Sequence, residues 1–205
     1  MRRRLVLLTA LAAALAPAAD WVNLFNGTDL TGWTGSKKHW RVENGAIVGT
    51  TDETPTELNT FLIYNEKPFA NFHLSVDVKL RNGNSGIQFR STALPGPGFI
   101  VYGTQADASD ADQSWGNFYE ERGRGRATMK TRDEGWRRAE SVVKKGDWNR
   151  IEVIANGPSL KLLLNDKVTW EGTDDKKLEG IIALQLHSGK PMRVEFRNIR
   201  IKELP

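Results

Sequence analysis

Hydrophobic and polar positions alternate along almost the whole chain. In "HLSVDVKL", Leu74, Val76, Val78 and Leu80 fall on one side, and Ser75, Asp77 and Lys79 on the other. "RIEVIA", "LKLLLN", "GIIALQL" and "MRVEFRNIRI" read the same way. Successive side chains of a strand point to opposite faces, so a period of two predicts half-buried strands. Turn signals separate the runs: "ENG" at Glu43–Gly45, "RNGN" at Arg81–Asn84, "NGP" at Asn156–Pro158 and the pair Asn165–Asp166. Asn-Gly accepts the positive φ of a tight turn, so "WRVENGAIVG" predicts a hairpin. After the first residues, no stretch of ten shows helical periodicity. About a dozen short strands with frequent turns predict an all-β sandwich or barrel, and in a sandwich two sheets share one apolar layer. The chain shows no linker, repeat or low-complexity segment, which predicts one domain. The polar stretch Thr50–Asn59 reads as a long surface loop placed to cover a site.

The beginning of the chain departs from this pattern. A basic head, "MRRR", precedes the apolar run "LVLLTALAAALAP" and the small residues Ala16–Ala18. That layout predicts a signal peptide over residues 1–18 and a mature domain over 19–205, exported to the periplasm or secreted. The apolar run is shorter than the ~20 residues a membrane span needs, so no membrane is expected for the mature form. Losing Arg2, Arg3 and Arg4 lowers the formal charge of +4 by three, to +1. So little net positive charge gives no reason to expect nucleic acid. The local basic run Arg122–Arg132 reads as a solvated loop. With no cysteine, disulfides and thiolate metal sites are excluded. Seven tryptophans are compatible with sugar stacking and with a core, and do not choose between them.

Chemistry enters through the polar sides of several strands. "NSGIQFRS" offers Gln88 and Arg90 opposite Ile87 and Phe89; "YGTQADA" offers Gln105 and Asp107. "WGNFYEERG" offers Tyr119 with Glu121 on one face, and Phe118 with Glu120 on the other. "ALQLHS" offers Gln185 and His187. Should these strands be neighbours, amides, carboxylates, a guanidinium and an imidazole line one groove, a surface suited to a carbohydrate. There is no G-x-S-x-G elbow, P-loop or H-E-x-x-H motif. The E-x-D-x-x-E strand pattern of many sandwich-fold retaining glycosidases is also missing.

"WVNLFNGTDLTGWTG", "HWRVENGAIVG", "FANFHLSVDVKLRNGNSGIQFRS", "WGNFYEERG" and "GIIALQLHSGKPMRVEFRNIRIKEL" resemble, in this order, the 3-keto-disaccharide hydrolase domain family. The resemblance runs from about Trp21 to Leu204 and implies a concanavalin-like jelly-roll β-sandwich. It also implies a sugar substrate already oxidised at C3. The C3 ketone acidifies the C2 hydrogen, so a base can form an enolate that expels the glycosidic oxygen from C1. Water added to the enone completes a net hydrolysis. Such a site needs a base near C2, a stabiliser of the C3 oxyanion and an acid for the leaving oxygen.

On this resemblance the catalytic residues are expected to be Glu120, His187 and Arg90. Gln88, Gln105, Tyr119 and Gln185 are expected to bind substrate. Asp107, Glu120 and His187 are the candidate ligands of a divalent metal ion acting as Lewis acid, and no organic cofactor is expected. The "YE" pair matches the family and favours Glu120 over Glu121. Alternation sets a condition, because Tyr119 facing the groove brings Glu121 with it unless a bulge intervenes. Two other readings stand beside the enzyme: a non-catalytic carbohydrate-binding module, and an ordinary glycosidase using two carboxylates.

Overall fold

The structure, a computed structural model, describes residues 20–110, 114–125 and 137–205. The expected leader and the later part of the basic run Arg122–Arg132 lie outside the described residues. Among the described residues, fourteen strands form two antiparallel sheets. In the larger sheet the order is β12 (Lys167–Thr173), β11 (Ser159–Leu164), β10 (Asn149–Asn156), β6 (Phe72–Arg81), β14 (Arg193–Glu203), β4 (Ala46–Thr50) and β3 (Trp40–Glu43). A short β1 (Val22–Asn23) also pairs with β14. The other sheet runs β2 (Trp33–Thr34), β5 (Thr60–Tyr64), β13 (Ile181–Leu186), β7 (Asn84–Ala93), β8 (Val101–Ser109) and β9 (Phe118–Glu121). The architecture is a two-sheet jelly-roll sandwich: of the sandwich and barrel that the alternation allows it is the first, and the jelly roll is what the family resemblance implies.

The apolar side of each strand meets the other sheet. Leu74, Val76, Val78 and Leu80 of β6 join Ile87 and Phe89 of β7 in one core. An aromatic file crosses it: Phe69, Phe72, Phe89 and Phe118 meet edge-on at 6.3–6.4 Å, and Phe118 stacks on Trp170 at 4.6 Å. Offset and edge contacts of this kind add about 0.5–1.5 kcal/mol per pair beyond area burial. Trp33, Trp40, Trp115 and Trp170 are buried in the same core. These four tryptophans are therefore packing residues, not sugar platforms.

Three of the turn signals behave as hairpins, one of them Gly157 and Pro158 between β10 and β11. Asn44 and Gly45 (φ 49° and 74°) join β3 to β4, and Asn165 and Asp166 (φ 47° and 67°) join β11 to β12. Asn82 and Gly83 have the same left-handed backbone (φ 63° and 72°), yet they pass the chain from β6 in one sheet to β7 in the other. Turn chemistry fixes the bend, and it does not choose the pairing partner.

A bulge interrupts β7. Its register shifts between Phe89 and Thr92 against β8, and Arg90 adopts φ 46°. Gly180 packs its backbone directly on this point, where a Cβ would overlap the carbonyl carbon of Arg90. The expected groove position of Arg90 is thereby corrected. Its side chain turns out of the alternation and is 1% exposed. Nε and Nη2 donate to the Ala70 carbonyl (2.8 and 2.6 Å), and Nη1 donates to the Gly157 carbonyl (2.7 Å). Arg90 thus ties β7 to the segment before β6 and to the β10–β11 turn. Removing the guanidinium orphans two carbonyls. Arg90→Met is expected to cost about 2–4 kcal/mol, read as a lower urea midpoint with an unchanged m-value.

Candidate active site

Strands β13, β7, β8 and β9 lie side by side, so their outward faces merge. Gln88 pairs across with Gln105, and Gln105 with Tyr119. One row of side chains therefore crosses three strands. Asp107, Tyr119, Glu121, Gln185 and His187 line a cleft of about 90 Å³, closed at its rim by Asn59 and Asn84. Asn59 arrives from the end of the polar loop after β4. A larger cavity, about 270 Å³, lies elsewhere against Val22, Leu24, Tyr64 and Phe69. Its lining is mainly aliphatic and aromatic, whereas the smaller cleft collects the groups able to move protons.

The floor is a hydrogen-bonded set of amides and carboxylates. Gln88 Nε2 donates to Gln105 Oε1 (2.7 Å), and Gln105 Nε2 to Asp107 Oδ1 (2.6 Å). Ser114 Oγ donates to the other oxygen of Asp107 (2.7 Å). Gln185 Nε2 donates to Glu121 Oε2 (3.0 Å), and Asn59 Nδ2 to Glu121 Oε1 (3.1 Å). Asn59 is itself held by the backbone N–H of Ser188 (3.0 Å). Gly86 makes room for this arrangement, since a Cβ there would come within 2.6 Å of the Gln105 side chain.

Two corrections follow from burial and alternation. Gln88 and Gln105 are 0% and 1% exposed. Gln88 lies beneath the lining and supports Gln105, so the expected direct contact of Gln88 with sugar hydroxyls is not available. Glu120 is the second. Strand β9 alternates without a bulge, and Phe118 and Glu120 turn to the core side while Tyr119 and Glu121 face the cleft. The groove carboxylate is Glu121.

Glu120 is instead gripped by the Arg124 and Lys176 side chains, and Arg124 also bonds Asp174. Burial of Glu120 opposes its ionisation, but the hydrogen bonds from Lys176 and Arg124 outweigh it and hold the carboxyl down at about 2. A carboxylate whose folded value is depressed stabilises the fold fully above its unfolded value. That contribution is lost as pH falls from about 4.5 towards 2. Glu120→Gln is expected to be less stable than the wild type at pH 7. The gap should close by about pH 2 in urea titrations at both values.

The three expected metal ligands are not brought together. Asp107 and His187 share the cleft, but Glu120 is on the other face of β9. Among the described residues no three His, Asp or Glu side chains are grouped to hold a metal ion. The three expected ligands are therefore not one donor set, and the proton chemistry is assigned to side chains alone.

His187 stands just beyond β13. Its Nδ1 lies 2.6 Å from the Ser188 carbonyl oxygen. A carbonyl only accepts, so Nδ1 carries the proton and the neutral ring keeps its lone pair on Nε2. The cleft therefore presents a base-competent imidazole beside a carboxylate held by two amides. Asn59, Asn84 and the choice of Glu121 escaped the sequence reading. Asn84 stands on the same period-two face as Gln88, and that spacing was the available signal.

Among solved structures, the fold resembles a candidate glycosyl hydrolase of Parabacteroides distasonis, at TM-score 0.63 and 22% identity over 90% of this chain and 94% of that one. A carbohydrate-binding module, CBM66, of Bacillus subtilis shares it at TM-score 0.55 and 15% identity, over 89% and 100%. So does a Bacillus licheniformis β-glucanase, at TM-score 0.56 and 11% identity, over 92% and 99%. At such identities the likeness speaks for the fold alone. No curated protein matches the chain. Over residues 20–202 the sequence matches the 3-keto-alpha-glucoside-1,2-lyase-like domain, and the chain belongs to that family of carbohydrate-active enzymes.

Proposed function

We propose that this protein is an exported enzyme that cleaves 3-keto-glycosides by elimination. The observation that carries the reading is the placing, in one small cleft, of an imidazole with an Nε2 lone pair beside the Glu121 carboxylate. Asp107 and Glu121 are each engaged on both oxygens, by Gln105 and Ser114 and by Gln185 and Asn59. Both carboxylates serve the floor, and the group left to move a proton is the imidazole. The cleft is also smaller than the roughly 300 Å³ or more of common ligand pockets. It suits one edge of one sugar ring.

In this reading His187 Nε2 takes the C2 proton. The C2–H electron pair becomes the C2–C3 double bond of an enolate, and the C3 oxygen takes the negative charge. Tyr119 and Asn84 donate hydrogen bonds to that oxygen. The enolate reforms its ketone as the C1–O bond breaks, leaving a C1–C2 double bond. The imidazolium returns its proton to the departing glycosidic oxygen. Glu121 accepts hydrogen bonds from ring hydroxyls and fixes the ring over His187. Water added to C1 then yields the free 3-keto-sugar. A ketone already present in the substrate makes an organic cofactor unnecessary.

The test uses residues 19–205 with a 3-keto-disaccharide and its unoxidised parent, each with and without a chelator, and follows products by mass. Cleavage of the oxidised sugar alone supports the reading, and a product one water lighter than the keto-sugar marks the elimination step. Cleavage of both sugars overturns it in favour of a carboxylate pair. The extensive amide floor favours a second reading, a non-catalytic sugar-binding module. Binding without cleavage of either sugar would establish that one.

A further inference from the structure

The amides beneath the cleft have a direction. Ser91 Oγ reaches three acceptors, Gln88 Oε1 at 2.7 Å and the Phe89 and Thr104 carbonyls at 3.0 and 3.1 Å, and Gln88 Oε1 is the nearest; Gln88 donates to Gln105 (2.7 Å), and Gln105 to Asp107 (2.6 Å) and Gln185 Oε1 (3.4 Å). Gln185 then donates to Glu121 (3.0 Å). Every NH₂ end points towards a carboxylate, and every carbonyl end points back towards Ser91. A carboxylate oxygen accepts and cannot donate, so only this sense of all three amides satisfies both carboxylates and the donors that reach back to Ser91. Flipping any one amide sets carbonyl against carbonyl or NH₂ against NH₂. Gln88, Gln105 and Gln185 are each at most 1% exposed. Water is in no position to repair a broken link, and a buried polar network of this kind acts as a unit.

We propose that Ser91, Gln88 and Gln105 are positioning residues, forming a one-way amide relay that sets the orientation of Gln185 and through it the Glu121 carboxylate. The proposal rests on the cleft being the active site, but the relay itself is a property of the folded chain. Gln88 touches neither carboxylate, the imidazole nor the cleft space. A local supporting role predicts that its loss is felt at Gln105 and no further. The relay predicts that the loss is felt two residues on. Without a donor from Gln88, the Gln105 carbonyl loses its partner, and only the Asp107 contact still favours the present sense of that amide.

The experiment is Gln88→Met, which keeps length and removes both hydrogen-bonding atoms, with Ser91→Ala as a second variant. Melting curves show that the variants fold. Side-chain amide resonances of Gln185 and Asn59 are then compared with the wild type in ¹⁵N-labelled protein. The relay predicts that the Gln185 amide moves or broadens in both variants, and that kcat on a 3-keto-disaccharide falls about tenfold with little change in KM. A Gln185 resonance unchanged in a folded variant overturns the relay. If the wild type turns over no 3-keto-sugar, the functional reading fails alone, and the resonances still decide the relay.

Discussion

His187→Ala is expected to lower kcat on a 3-keto-disaccharide by about 10²–10⁴-fold, the range that a positioned acid–base group contributes. KM should change far less, because the imidazole works on the proton in flight more than on the bound ring. The physical reason lies in a single contact. The Ser188 carbonyl holds the Nδ1 proton and leaves Nε2 as the free base. The proposed cycle uses the same nitrogen twice, first as base and then, protonated, as acid. Small bases such as imidazole added to His187→Ala should restore part of the rate. Rescue without change in product identity would place the lost group on the proton path. Loss of binding without loss of turnover per bound substrate would remove His187 from it.

Glu121→Gln is expected to reduce kcat/KM by about 10²-fold or more, whereas Glu120→Gln leaves it within a few fold. The two residues are adjacent, and the contrast between them is large because a strand separates their faces completely. Glu121 accepts amide protons from Gln185 and Asn59. A glutamine there must present at least one NH₂ to a donor, so the change breaks the cleft floor as well as removing charge. An unpaired buried polar group costs about 1–3 kcal/mol, which alone accounts for roughly tenfold or more. Glu120→Gln acts instead on the clasp with Arg124 and Lys176. Steady-state rates measured beside melting curves separate these effects. If Glu120→Gln proves the slower enzyme at equal stability, the placement of the site is wrong.

Much of this was readable along the chain. The alternation of Leu74, Val76, Val78 and Leu80 requires a shared apolar layer, and the structure has it. Gln105, Asp107, Tyr119, Gln185 and His187 stand on one side of neighbouring strands. Arg90 was unreadable because a bulge changes the count, and no local residue announces it. Glu120 illustrates a different failure. Alternation by itself pointed to Glu121, and family likeness pointed to its neighbour; the backbone followed alternation. Burial was the third gap. Nothing in "SGIQF" distinguishes a glutamine that meets sugar from one that props up another glutamine, because that depends on Gly86 letting Gln105 lie flat.

The bulge at Arg90 has a further meaning. Asn84, Gly86 and Gln88 share one side of β7 at even positions, and beyond the bulge Ser91 returns to that side at an odd one. The strand therefore carries a change of parity. Residues before and after Arg90 obey opposite inside–outside codes, and the extra residue is the hinge between them. Deleting a single residue at this point would straighten the ladder and leave each downstream position on its present face, because the deletion removes the one unmatched residue. Ser91 would stay beside Gln88, and the loss would be the Arg90 side chain with its ties to the Ala70 and Gly157 carbonyls. For anyone recombining segments within this fold, a crossover placed inside 89–91 must preserve that count, even where the exchanged sequences look equally strand-like.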